Sequence, residues 1–318
     1  MDAGTYQATS TEPYLHVPNR TVSLNLNGQT LNRNVTTAKE NGCVLYNEGI
    51  LTITGTGTIC GGKNTGTGTA QGGGIYNTHE LILNGGTISG NTSSLRGGGI
   101  YNAGILTING ASVGIQENTS LLEGCGVFNK EGCTMTLNDG YIRNNTAGTD
   151  HGGGVYNAGT LTMTGGTISG NTINTTGKHG GGVYNAGTMI FSGGTIQENW
   201  TLGDGGGIYN NGTLTMSGGS ILNNGYYTSV YVTYYKGENG TGIYNNGTLN
   251  LTGGTITGNR FDGSGKNGAG IYNNGTFNLA GGPTITSNTG NVYLPKAHHI
   301  INITGALTNT TKIGIRME

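Results

Sequence analysis

The chain has 318 residues, of which 66 are glycine and 9% are charged, and its 14 basic and 15 acidic residues leave a formal net charge of −1. That glycine load excludes a helical bundle, and the near-neutral balance supplies no electrostatic footprint for nucleic acid or an anionic membrane, so neither is expected as a partner. No apolar run approaches the roughly 20 residues needed to span a bilayer, which argues against direct membrane insertion.

Only 33% of the residues are hydrophobic. They nevertheless fall at fixed phases of a repeat, which separates this composition from disorder. The string GGGVYNAGTLTMTGGTISGN, Gly152 to Asn171, returns as GGGIYNTHELILNGGTISGN from Gly72, GGGVYNAGTMIFSGGTIQEN from Gly180 and GGGIYNNGTLTMSGGSILNN from Gly205. A repeat of this length decides the architecture.

Taken in order, residues 1–20 contain Pro13 and Pro18 and no repeat signature. They read as an N-terminal cap over the strand edges that an open solenoid end exposes. Their start, MDAGTYQATS, carries neither the basic nor the apolar part of a signal peptide. That leaves a cytoplasmic chain or a piece of a longer exported one. Residues 21–318 read as one solenoid, with a partial turn at Thr21 to Leu31, a second turn from Gly42 and the full repeat from Gly72. The central triplet L-x-I/M/L can be counted eleven times, from Leu24 to Ile303. Eleven turns at about 4.8 Å each predict a rod about 50 Å long.

Within each repeat the apolar residues alternate. Val155 and Asn157 oppose Tyr156, Leu161 and Met163 oppose Thr162, and Ile168 stands between Thr167 and Ser169. Period two over three short segments bounded by Gly or Asn predicts three strands and three bends per turn, an all-β parallel β-helix. Ile75, Ile100, Val127, Val155, Val183, Ile208, Ile243 and Ile271 then form one inward column. Asparagines 77, 102, 129, 157, 185, 210, 245 and 273 recur at the bend after the first strand. There a left-handed conformation and a side-chain ladder are expected. Asn91, Asn118, Asn171, Asn199, Asn259 and Asn288 make a second ladder.

The pairing of GG[GA]I with a later [IF]xxN across residues 42 to 290 resembles the polymorphic outer-membrane protein repeats of bacterial surface proteins. More broadly, it is similar to the right-handed parallel β-helix regions of large cell-surface proteins of gut bacteria. The chain departs from the outer-membrane family in placing Ile before xxN and in lacking an autotransporter barrel. Residues 290–318 resemble the closing segment of such modules, cut short. The resemblance implies a cell-surface or secreted adhesin-like stalk, with no catalytic residues to carry over and no cofactor.

Four features compete for a local function. Tyr46, Tyr76, Tyr101, Phe128, Tyr156, Tyr184, Tyr209, Tyr244 and Tyr272 share one outward phase. They either stack on one another to shield a sheet or present a stripe to sugars or protein. The connection after Asn224 swells into an insertion, residues 225–239, expected to protrude as a hairpin bearing Tyr226, Tyr227, Tyr231, Tyr234 and Tyr235. Trp200 and Phe261 lie on the same connection in the flanking turns, so an aromatic edge binding a glycan or a host surface protein is expected there. A polar column precedes the glycines: Gln71, Arg96, Glu123, His151, His179 and Asp204. The last three would stack about 4.8 Å apart and offer zinc ligands or acid/base groups; otherwise the column is a solvated edge. The alternatives to an adhesin are a polysaccharide lyase or hydrolase, argued against by scattered carboxylates, and an ice-binding Thr-x-Thr array, broken at Tyr141, Arg143, Gln197 and Leu222. The triple glycines lack the Lys-Ser/Thr of a phosphate loop. Of the four cysteines, Cys43, Cys60, Cys125 and Cys133, only the Cys125 and Cys133 pair stays open to bridging.

Overall fold

The computed structural model describes residues 6–7, 14–35, 42–64, 71–228, 233–235, 238–261, 266–296, 299–308 and 313–317. Among them every regular element is a strand. The turn that starts at Gly152 shows the plan: strands Val155–Asn157, Thr160–Met163 and Thr167–Ser169, then a two-residue strand Thr172–Ile173. Each strand pairs in parallel with its own copy in the next turn, in register, so Val155 faces Val183, Leu161 faces Met189 and Ile168 faces Ile196. Repetition of that pairing builds sheets of 12, 11 and 11 strands and a fourth of 6. The molecule is a parallel β-solenoid.

Side chains explain why the coil closes. Alternate residues of a strand point to opposite faces, and Val155, Leu161, Met163 and Ile168 all point inward with no exposed surface. Each contributes about 1.5–3 kcal/mol by burial. The 28 residues from Asn157 to its copy Asn185 cost about 1–2 kcal/mol each to order. One turn cannot offset that cost alone, and stacking on both sides is required.

The buried polar residues are almost all asparagines, and they stack. In the first ladder, Asn157 Nδ2 donates to Asn185 Oδ1 at 2.8 Å, and Asn129 Nδ2 donates to Asn157 Oδ1 at the same distance. The same bond links Asn47 to Asn77 and runs on to Asn273. Each amide also donates to the backbone of the following bend, as Asn157 does to the Thr188 carbonyl at 2.9 Å. The second ladder runs from Asn91 to Asn288 and takes in Asn145 and Asn224, which the repeat alignment had missed. The third glycine of each GGG lies against it: a Cβ at Gly154 would come within 2.6 Å of the Gly182 carbonyl oxygen and 2.9 Å of Asn171 Nδ2.

Several expectations change. The ladder asparagines do not have a positive φ; the left-handed position is the residue just before the second ladder, as at Gly90 (66°), Glu117 (56°), Asn144 (54°), Glu198 (56°) and Ser287 (57°). The reason is geometric: the chain reverses there, so that the following Asn side chain can turn inward. About nine turns, from Leu45–Asn47 to Ile271–Asn273, carry the complete repeat. The count of eleven came from central strands that extend into incomplete turns at both ends. Within residues 1–20, Tyr6–Gln7 and Leu15–Val17 already pair with Leu31–Asn32 and Leu45–Asn47, so this segment continues the sheets. At the other end, Val292–Leu294, Ile301–Leu307 and Ile315–Met317 do the same. The fourth sheet, absent from the sequence reading, covers a small second core of Cys125, Ala147 and Ile173. All four cysteines are free; the Cys125 thiol is buried 2.8 Å from Ser120 Oγ, and Cys133 lies outside that core.

Two outcomes follow for stability. Asn157→Ala leaves buried donors and acceptors on both neighbouring turns unpaired, so denaturant titration should show a loss of about 3 kcal/mol. Glu198→Gly relieves an exposed left-handed residue and should stabilise by about 1 kcal/mol. Gly90→Ala should cost about as much, and because a Cβ there meets nothing within 4 Å the cost is conformational only.

Candidate functional site

The outward aromatic residues of the first sheet form one continuous column. From Tyr46 to Tyr293 successive ring centroids lie 4.9–5.3 Å apart. Between Phe128 and Tyr272 the rings are within 10° of parallel. Tyr101, Phe128 and Tyr293 are buried and the other rings described are partly so. Burial, joined by the neighbouring phenols, pushes the hydroxyls of Tyr156 and Tyr209 up to about 12. The column is therefore a self-packed layer rather than a free stripe. Tyr293 is its tenth ring, and the signal for it was the string NVYL, whose Val292 and Tyr293 pair with Ile271 and Tyr272.

The polar column lies on top of this layer. The Arg96 guanidinium sits 5.1 Å over Phe128, His151 stacks on Tyr184 at 4.6 Å, and His179 stacks on Tyr209 at 4.5 Å. Arg96 Nε donates to Glu123 at 2.7 Å, and Lys178 donates to Asp150 at 3.1 Å. A relay then runs along the axis. The His179 backbone N–H donates to His151 Nδ1 at 2.9 Å, and that of Asp204 to His179 Nδ1 at 3.0 Å. Those of Asn239 and Asn267 donate to Asp204 Oδ1 and Asn239 Oδ1. From His151 to Asn239 each side chain at this position thus accepts the backbone N–H of its successor.

That geometry fixes what the histidines can do. With Nδ1 accepting, each imidazole is the neutral tautomer carrying its proton on Nε2. One face of each ring stacks on a tyrosine. Among the described residues no three His, Cys, Asp or Glu side chains gather to hold a metal ion. The run of His151, His179 and Asp204 is a structural ladder in which Nδ1 of both rings is taken, and Nε2 of His151 faces Asp150 Oδ1 at 3.4 Å.

The residues of the expected aromatic edge lie on three successive turns. Trp200 starts the last strand of the fourth sheet, Trp200–Thr201, and is only 6% exposed, so its ring is part of the packing. The next copy of that strand is replaced at Gly225, whose N–H still pairs with the Asn199 carbonyl. There a two-stranded antiparallel hairpin leaves the coil: Tyr226–Thr228 against Thr233–Tyr235, with Tyr226 opposite Tyr235 and Tyr227 opposite Tyr234. The hairpin is known by its backbone, and Tyr231 lies outside the described residues. Phe261 is one turn further on and lines a recess of 190 Å³ with Lys266, Tyr293 and Arg316. Trp200 and Phe261 therefore flank the root of the hairpin, one buried and one at a cavity wall.

Burial is the main force that lowers the proton affinity of His151 and His179. Asp150 and Glu123 oppose it at His151 and Asp204 at His179, while Lys178 reinforces it at both. A depressed folded value means that the unfolded chain takes its proton first. Stability is then complete above the ordinary value of about 6.5 and is lost as pH falls below it toward the folded values. Asp204, raised by burial, acts oppositely, restoring stability as it protonates at lower pH. The thermal midpoint should fall between pH 7 and pH 5. The double variant His151→Asn, His179→Asn, which copies Asn239 and Asn267 at the same position, should be nearly flat over that window.

Compared with known proteins, the chain matches no family model, no curated protein and no solved structure. What is shown of its kinship is the repeat and the parallel β-solenoid that it builds.

Proposed function

We propose that this chain is a non-enzymatic binding and spacer module of the cell surface or of a secreted protein, which engages a glycan or a surface protein along the edge where its hairpin departs. The observation that carries this reading is the interruption of the coil at Gly225. Turns before it repeat with little change, and the strand after Asn224 is replaced by a tyrosine-rich hairpin. Repeat insertions of this kind tend to project from one face, and that face is commonly the binding one. The rest of the surface supports a scaffold role. Its tyrosines are stacked on each other, its polar column is tied to backbone N–H groups, and it holds few charges. Tyr and Trp are also the residues that contribute most at interfaces.

The test is a glycan and surface-protein array probed with the intact chain and with a variant in which Tyr226 to Tyr235 is removed. Turns without an insertion, such as the one from Gly180 to Asp204, show that the coil closes without it. Binding by the intact chain, reduced at least about tenfold in the deletion variant, is expected. Equal binding by both overturns the assignment to this edge.

A further inference from the structure

The coil ends at a recess whose chemistry is unlike that of the rest of the surface. Arg316 stands in register with Tyr293, so it occupies the place of the next ring in the aromatic column. Tyr293 responds by tilting 36° from Tyr272, after a run of near-parallel rings. Beside them lies a cavity of 190 Å³ whose lining includes Phe261, Tyr293, Lys266 and Arg316. No carboxylate lines it. Lys266 is balanced by Glu238 at 3.5 Å. Arg316 is exposed and makes no ion pair with an acid among the described residues.

From this we infer that the recess binds the carboxylate-bearing sugar of an acidic glycan, such as a uronic acid residue. The inference rests on the glycan-binding reading above and names the ligand class. Its volume is below the roughly 300 Å³ at which drug-sized ligand pockets begin, which suits one sugar residue at a chain end or branch. A guanidinium with no acid partner accepts a carboxylate in a bidentate fork that a neutral sugar cannot supply. The Phe261 ring, only partly buried, offers flat apolar surface to a pyranose ring. Among the described residues, Lys266, Glu238 and Arg316 leave one net positive charge at the recess. Selectivity therefore comes from the carboxylate, and shape contributes the remainder. An acidic peptide would satisfy Arg316 but would leave the Phe261 ring without a flat partner.

Titration calorimetry or NMR with galacturonate oligosaccharides, and with neutral galactose oligosaccharides as control, decides the matter. The intact chain should prefer the acidic series by at least about tenfold, and added salt should narrow the preference. Arg316→Ala should abolish the preference, Arg316→Lys should keep part of it, and Phe261→Ala should weaken both series. Arg316 is exposed on an edge strand, so its replacement should leave the melting temperature unchanged. Equal affinity for both series, undiminished acidic binding by Arg316→Ala, binding of an acidic peptide as tight as the sugar, or no saturation below about 10 mM would each overturn the inference. The hairpin deletion separates the two readings. If it loses glycan binding while Arg316→Ala does not, the edge stands and the recess falls; the reverse result keeps the recess and removes the edge.

Discussion

A primary amide buried in an apolar coil must find partners for two donors and an acceptor, and the rest of the structure depends on how this is met. An asparagine at the same position of the next turn solves it, because the side chain that donates below is the one that accepts above. Each of the two ladders thereby forces its own residue type on every turn. The constraint spreads from there. The third glycine of each GGG must stay bare, since any side chain would collide with the Asn amide and with the next glycine. The residue before the second ladder must turn left-handed to aim the amide inward. Aliphatic columns follow because strict register stacks like on like, as Ile168 on Ile196 and Ile142.

The outer layers obey the same register. Once the first sheet is fixed at one residue per turn, the residue between the inward aliphatic and the ladder Asn projects outward every 5 Å or so. A planar ring is the side chain that fills that spacing without a gap. The polar column above the rings has no such uniformity. Arg, Glu, His, Asp and Asn succeed one another, and from His151 to Asn239 the side chain accepts the backbone N–H of its successor. The repeat itself is interrupted at two places: the hairpin at Gly225, and the end of the aromatic column, where Arg316 takes the position of a ring.

Much of this was legible because the fold is written in periods. The aliphatic column, the aromatic column and most of both ladders could be read from aligned repeats. Asn145 and Asn224 escaped because each follows another asparagine. In Asn144-Asn145 and Asn223-Asn224 the first takes the left-handed turn and the second the ladder, a division of labour that spelling does not reveal. The fourth sheet escaped because strands of two residues have no period to detect. The polar column was noticed as a possible site, but its service to backbone N–H groups depends on atoms 27 or so residues apart. Trp200 reads as a surface anchor because its type is common at interfaces, yet it is only 6% exposed, which the spelling of its own turn does not reveal.

The two internal ladders also have a sense. In both, the amide nitrogen points toward the C-terminal end and the oxygen toward the N-terminal end, from Asn47 and Asn91 onward. The outward asparagines along the second sheet run the other way, Asn138 donating to Asn109 and the partly buried Asn278 to Asn250. The interior is thus a pair of aligned dipole chains, and the molecule carries an arrow along its axis. The ladders stop inside the coil, where Val17 stacks on Asn47. A further turn inserted within them must offer its own amide in the matching orientation, since an inverted one would bring oxygen to oxygen or nitrogen to nitrogen at a buried contact.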